Sequence, residues 1–94
     1  MSMFDAVKLA LREPPIELFQ EIQGLIDAAR ADLILSGVSG EKANSDNDPL
    51  IKRAIIIYCR AHFDYHDASA ERLLQSYNLL KSHLSLAEDY KASS

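Results

Sequence analysis

Residues 48–63 read DPLIKRAIIIYCRAHF, and the conformation of this stretch decides the fold class. Taken alone, Ile55-Ile56-Ile57-Tyr58 has the composition of a buried strand. Two features overrule that assignment. Asp48 supplies an acceptor for the free amides of a helix start, and Pro49 follows in the first turn, where a helix tolerates proline. The stretch also has helical rather than strand length. On a helical wheel Leu50, Ile51, Ala54, Ile55, Ile57, Tyr58 and Ala61 cover a broad arc, so the spacing predicts a central helix over about 49–63.

Working outward, the N-terminal part places Phe4, Val7 and Leu11 at helical spacing with Ala10 beside them, a short helix over about 3–12 closed by Pro14-Pro15. Beyond the prolines, Leu18, Phe19, Ile22, Leu25, Ile26, Ala29 and Leu33 form one stripe, away from Glu17, Gln20, Glu21, Asp27 and Asp32. A second helix over about 15–36 follows, ended by Gly37 as a left-handed cap. The segment 37–47, GVSGEKANSDN, is polar and rich in turn formers, so it is expected to be a mobile loop without a packed element. Its length leaves two readings open: a functional loop, or one that orders only on a partner. A fourth helix is expected over about 68–90, with Leu73, Tyr77, Leu80, Leu84 and Ala87 as its core seam and Asp67 or Ser69 as its cap. The tail 91–94 has nothing to bury and is expected to fray. The fold class that results is all-α: one small bundle of about four helices with a long polar loop between helices two and three.

Composition narrows the function. A chain of 94 residues buries about 60 to 65% of its unfolded surface, enough for a core without staples. Cys59 is the only cysteine, so no internal disulfide and no cysteine-pair metal motif exists. No apolar run reaches membrane-spanning length, and the start carries no secretory-signal pattern. With 14 acidic against 10 basic residues the net charge is -4, which disfavours a surface built to grip phosphates.

The stretch AHFDYHD (61–67) raises a metal question, because two histidines four residues apart meet on one helix face. That geometry requires His62 and His66 to share a helix. A new helix capped at Asp67 forces the preceding one to end near Phe63 or Asp64, leaving His66 in the turn. His62 is then a half-buried residue at the edge of the core face, and His83 stands mid-helix with no carboxylate one turn away. No phosphate loop, nucleophilic triad or paired-carboxylate pattern is present, and Cys59 falls within an apolar helix as a small hydrophobe. No metal, cofactor or catalytic residue is expected.

Apolar residues remain after the core seams are assigned. Leu79, Leu86 and Tyr90 lie opposite the seam of helix four, and Ile56, Cys59 and Phe63 lie away from the main stripe of helix three. Either helix one and the long loop cover these faces, or other subunits do. The expected contact residues are Ile56 and Phe63 on one face and Leu79, Leu86 and Tyr90 on another.

The pieces FDAVKLALR, EIQGLIDAARADLILSGV, DPLIKRAIIIYCRAHFDYHDASAERLLQSYNLLKSHL and LAEDY, in that order, resemble the small head-tail connector (head-completion, DNA-packaging adaptor) proteins of long-tailed phages and prophages. The likeness rests on Asp32-Leu33 before Ser36-Gly37, on Asp48-Pro49-Leu50-Ile51, on Ala54-Ile55 with Tyr58, and on Glu71-Arg72 followed by Tyr77. Asp64 stands where members often carry glycine at a left-handed position, and Pro14-Pro15 replaces a short polar connection. The resemblance implies a structural, non-enzymatic adaptor forming a ring of about a dozen subunits at the head-tail junction of the virion, after a stage in the host cytoplasm. Its implied partners are copies of itself, the portal protein and a tail-side completion protein, with DNA passing through the lumen without sequence-specific binding and no membrane involved. The alternative is a small helical DNA-binding regulator using Lys52, Arg53 and Arg60 on one side of helix three.

Overall fold

The computed structural model describes residues 1–63 and 68–93. The expected Asp67 cap, the turn position of His66 and the left-handed Asp64 lie outside the described residues. The fold is all-α: α1 (Met3–Ala10), α2 (Phe19–Leu35), α3 (Gly40–Ala43), α4 (Pro49–Phe63) and α5 (Ala70–Leu86), with a 3-10 turn at Ile16–Leu18 leading into α2. α4 is the hub, packing against α5, α2 and α1, while α1 and α3 also pack on α2. The core holds Ile22, Ile26 and Leu33 of α2, Ile51, Ala54 and Ile55 of α4, and Tyr77 and Leu84 of α5. Met3 and Val7 close it from α1.

The caps explain where the helices begin and end. The Asp48 carboxylate accepts from the amides of Leu50 (3.0 Å) and Ile51 (3.1 Å), the start signal expected for α4. α2 ends in a left-handed Gly37 (φ 111°), with the Gly37 amide donating to Ile34 and the Val38 amide to Leu33. α1 ends by the same device without glycine. Arg12 (φ 65°) and Glu13 (φ 54°) are left-handed, and their amides donate to Leu9 and Lys8. The stop therefore comes before Pro14, and α1 ends at Ala10 rather than Arg12.

Two segments differ from expectation. The stretch 37–47 is packed: Val38 and Ala43 are buried, and α3 is capped by the Ser39 hydroxyl accepting from the Lys42 amide. Arg30 fixes it from α2, donating to the Ala43 carbonyl (2.9 Å), the Ser45 carbonyl (3.3 Å) and the Asp46 carboxylate (2.6 Å). The expected helix to Tyr90 stops at Leu86, because Ala87 turns extended (ψ 135°). Nor is the tail free, since the Ser39 amide donates to the Tyr90 carbonyl and the Ala92 amide to the Gly37 carbonyl, making an isolated bridge between Val38 and Lys91.

Two carboxylates tie these pieces together. Asp48 also accepts from the Tyr90 hydroxyl (3.0 Å) and lies 3.7 Å from the Lys42 ammonium. Asp32 of α2 accepts from the Tyr77 hydroxyl (2.6 Å) and the Lys81 ammonium (3.0 Å) of α5. Burial raises the Asp48 carboxyl, but the Ile51 amide, the Tyr90 hydroxyl, the Leu50 amide and Lys42 outweigh it and leave the group below its ordinary 3.8. At Asp32 burial is likewise outweighed, by Tyr77, Lys81 and the more distant His62.

Folded-state values below the unfolded ones mean that both groups stabilise the fold above the unfolded value and lose that contribution as pH falls through the folded one. Urea midpoints should therefore hold at neutral pH and fall as pH drops below about 5. Asp48→Ala should cost about 2 kcal/mol, lowering Tm by roughly 8 °C or more. Asp48→Asn, which still caps, should cost less and flatten the acid limb. An Asp48→Ala melt matching wild type would remove Asp48 from this role.

Candidate functional site

Held on three sides by α1, α2 and α5, α4 turns its fourth side outward. Pro49, Ile56 and Phe63 stand seven residues apart along that side, so they line one helical face. Two grooves flank them. The first, about 450 Å³, has Ile56, Ile57 and Leu73 among its lining and Lys52, Arg53 and Arg60 around it. The second, about 490 Å³, lies between Leu11, Leu18 and Phe63, with Arg12, Glu21 and Arg60 at its margin. The structure thus places Ile56 and Phe63, expected as one contact face, half-buried in adjacent grooves that share Arg60.

Charge is segregated around this face. Of the 10 cationic side chains, Lys8, Arg30, Lys42, Lys81 and Lys91 sit in ion pairs with Glu13, Asp46, Asp48, Asp32 and Glu88. The remaining five are Arg12, Lys52, Arg53, Arg60 and Arg72, none of which forms an ion pair among the described residues. Four of the five line the two grooves. A protein with net negative charge thus gathers four of the five cations that are unpaired among the described residues beside α4; the helix spacing already aligns Lys52, Arg53 and Arg60, while Arg12 joins them only through tertiary contacts.

On α5 the outer face is apolar in part. Leu79 is 64% and Leu86 78% exposed, as their spacing opposite the core seam predicts. Tyr90 belongs elsewhere. The break at Ala87 swings it off that face, and its ring is half-buried against the core with its hydroxyl on Asp48. Burial first, then the bond to Asp48, raises its phenol above the ordinary 10.0. Near the opposite turn Leu35 is 86% exposed. A methyl built on Gly37 would lie 3.6 Å from Cβ of Ser85, so Leu35 and Leu86 flank the place where the end of α2 meets α5.

Among the described residues no group of three His, Cys, Asp or Glu side chains converges on a metal position. His62 is exposed, not half-buried, and its ring lies against Tyr58 at 4.2 Å between centroids. Cys59 is fully buried, and burial pushes its thiol up to about 12, away from thiolate chemistry.

The chain matches the family model described as phage connector protein over residues 3–91. It belongs to that family. No curated protein and no solved structure matches it significantly. Membership makes the protein a phage structural component, connected with the portal and tail parts of the virion at the head-tail junction. No helix among the described residues is long and apolar enough to cross a membrane.

A thiol held protonated and buried has a simple signature. Iodoacetamide at pH 8 should leave Cys59 unmodified in the native protein and alkylate it fully in denaturant, read by intact mass. Rapid native modification would place Cys59 at the surface.

Proposed function

We propose that this protein is a ring-forming head-tail connector that joins the portal vertex to the tail and extends the DNA channel, acting by assembly without catalysis. The reading rests on the family together with one observation: large apolar side chains that the protomer does not cover. Leu35, Leu79 and Leu86 are 86%, 64% and 78% exposed, and full burial of such side chains is worth about 1.5 to 3 kcal/mol each. Only association recovers that energy. Ile56 and Phe63 supply one contact face and Leu79 and Leu86 another, and Tyr90 supports the second from within the fold. Contacts of a head-to-tail kind close into a ring where the rotation between neighbours closes and grow into a filament where it does not, and an acidic protein around a channel would let phosphates pass without holding them.

Partners in this reading are copies of the chain, the portal protein and a tail-side completion protein, met after a stage in the host cytoplasm. The basic side of α4 favours a second reading, a DNA-binding regulator, because Lys52, Arg53 and Arg60 do share a groove. Its apolar lining of Ile56, Ile57 and Leu73 speaks for a protein partner, since a phosphate backbone offers nothing to bury there.

Leu86→Asp separates the roles. Helicity and Tm should stay near wild type, because the side chain is exposed, while higher assembly with or without the portal of the same phage is lost, as measured by light scattering. A large drop in Tm would make Leu86 a core residue and remove it from the interface.

A further inference from the structure

We infer that the cation-lined groove beside α4 of one copy receives the outer face of α2 from the next copy, a step that rests on the ring-forming role and specifies its contact. The groove demands an occupant that is apolar in the middle and acidic at the margin. Ile56, Ile57 and Leu73 are its apolar lining, and Lys52, Arg53 and Arg60 are cations that form no ion pair among the described residues. No acidic residue occurs from Pro49 to Phe63.

The outer face of α2 has the complementary composition. Its entry turn and exposed side carry Glu17, Gly24, Asp27, Ala28, Ala31 and Leu35, all exposed. Neither Glu17 nor Asp27 is in an ion pair among the described residues, while Arg30, the one cation of α2, is turned away and held by Asp46. The surface is therefore acidic and apolar, with no free positive charge to repel the groove.

Gly24 adds an independent sign. It sits in the middle of a 17-residue helix, where glycine is disfavoured relative to alanine. A Cβ built there meets nothing within 4 Å, so the protomer gives no packing reason for the missing side chain. A neighbouring helix that must approach closely does. α2 and α4 pack on each other through their inner faces, so their outer faces belong to different sides of the subunit. One copy can then use both at once, which a head-to-tail chain of subunits requires.

The test is charge exchange. Arg53→Glu and Asp27→Lys should each raise the concentration needed for assembly about tenfold or more, through like-charge contact. The double variant should restore assembly, as should a mixture of the two single variants, because each then meets a complementary face. Gly24→Leu should melt no lower than wild type yet fail to assemble. Ala28→Cys paired with Ser76→Cys should give disulfide-linked ladders under mild oxidation. If wild type assembles and the single variants assemble equally well, or if no ladder forms, the ring role stands and this pairing is wrong. Wild type that remains monomeric with and without the portal overturns the ring role and the pairing together. Loss of duplex DNA binding in Arg53→Glu, without rescue by Asp27→Lys, assigns the groove to DNA and overturns the pairing alone.

Discussion

Thickness governs this protein. Its shortest dimension is 18 Å, about two helix diameters, so no helix can be enclosed on every side. α4 comes nearest, with α1, α2 and α5 around it, and its remaining side exhausts what 94 residues can cover. The same limit leaves Leu79 and Leu86 on α5 and Leu35 on α2 in contact with water. A larger domain would add a layer over such surfaces.

A body this thin also needs its edges fastened, and polar groups do this where the apolar core runs out. Asp48 joins the start of α4, the Lys42 side chain and the turn at Tyr90. Asp32 joins α2 to α5 through Tyr77 and Lys81, and Arg30 joins α2 to the stretch after α3. All three groups are half-buried, where screening by water is reduced but not removed and each bond carries moderate energy. Their common feature is span: every one of them links segments distant in the chain. Fastening the ends uses Arg30, Lys42 and Lys81, so none of these three is among the cations that line the grooves beside α4.

The legible parts of the fold were those written in local chemistry. Asp48-Pro49 marks the start of α4 and Gly37 the end of α2 because caps depend on one or two residues acting on neighbouring backbone. The seams of α2, α4 and α5 follow from spacing, and so does the exposure of Leu79 and Leu86, whereas Ile56 and Phe63 are half-buried against the core. What stayed hidden was nonlocal. Val38 and Ala43 are too few and too small to make a period, so their burial depends on Arg30 reaching across from α2. The left-handed Arg12 and Glu13 end α1 without glycine, and no composition rule marks such a stop. Tyr90 is the instructive miss: on a continued helix it shares the face of Leu79 and Leu86, but the break at Ala87 gives it to Asp48 instead.

Segregated charge bears on the kind of symmetry the surfaces can support. Two copies meeting groove to groove about a twofold axis would set Lys52, Arg53 and Arg60 against their equivalents, and desolvating like charges is costly. Two α2 faces meeting the same way would oppose Glu17 and Asp27 with themselves. Closed dimers are thus disfavoured on both sides of the subunit, while unlike faces attract. An isologous pair would also consume one surface and stop, whereas a head-to-tail contact leaves a free face on each end until a ring closes. In the proposed ring the apolar residues would supply the energy of association, and the sorting of charge between α2 and α4 would direct that energy away from dimers and toward closure.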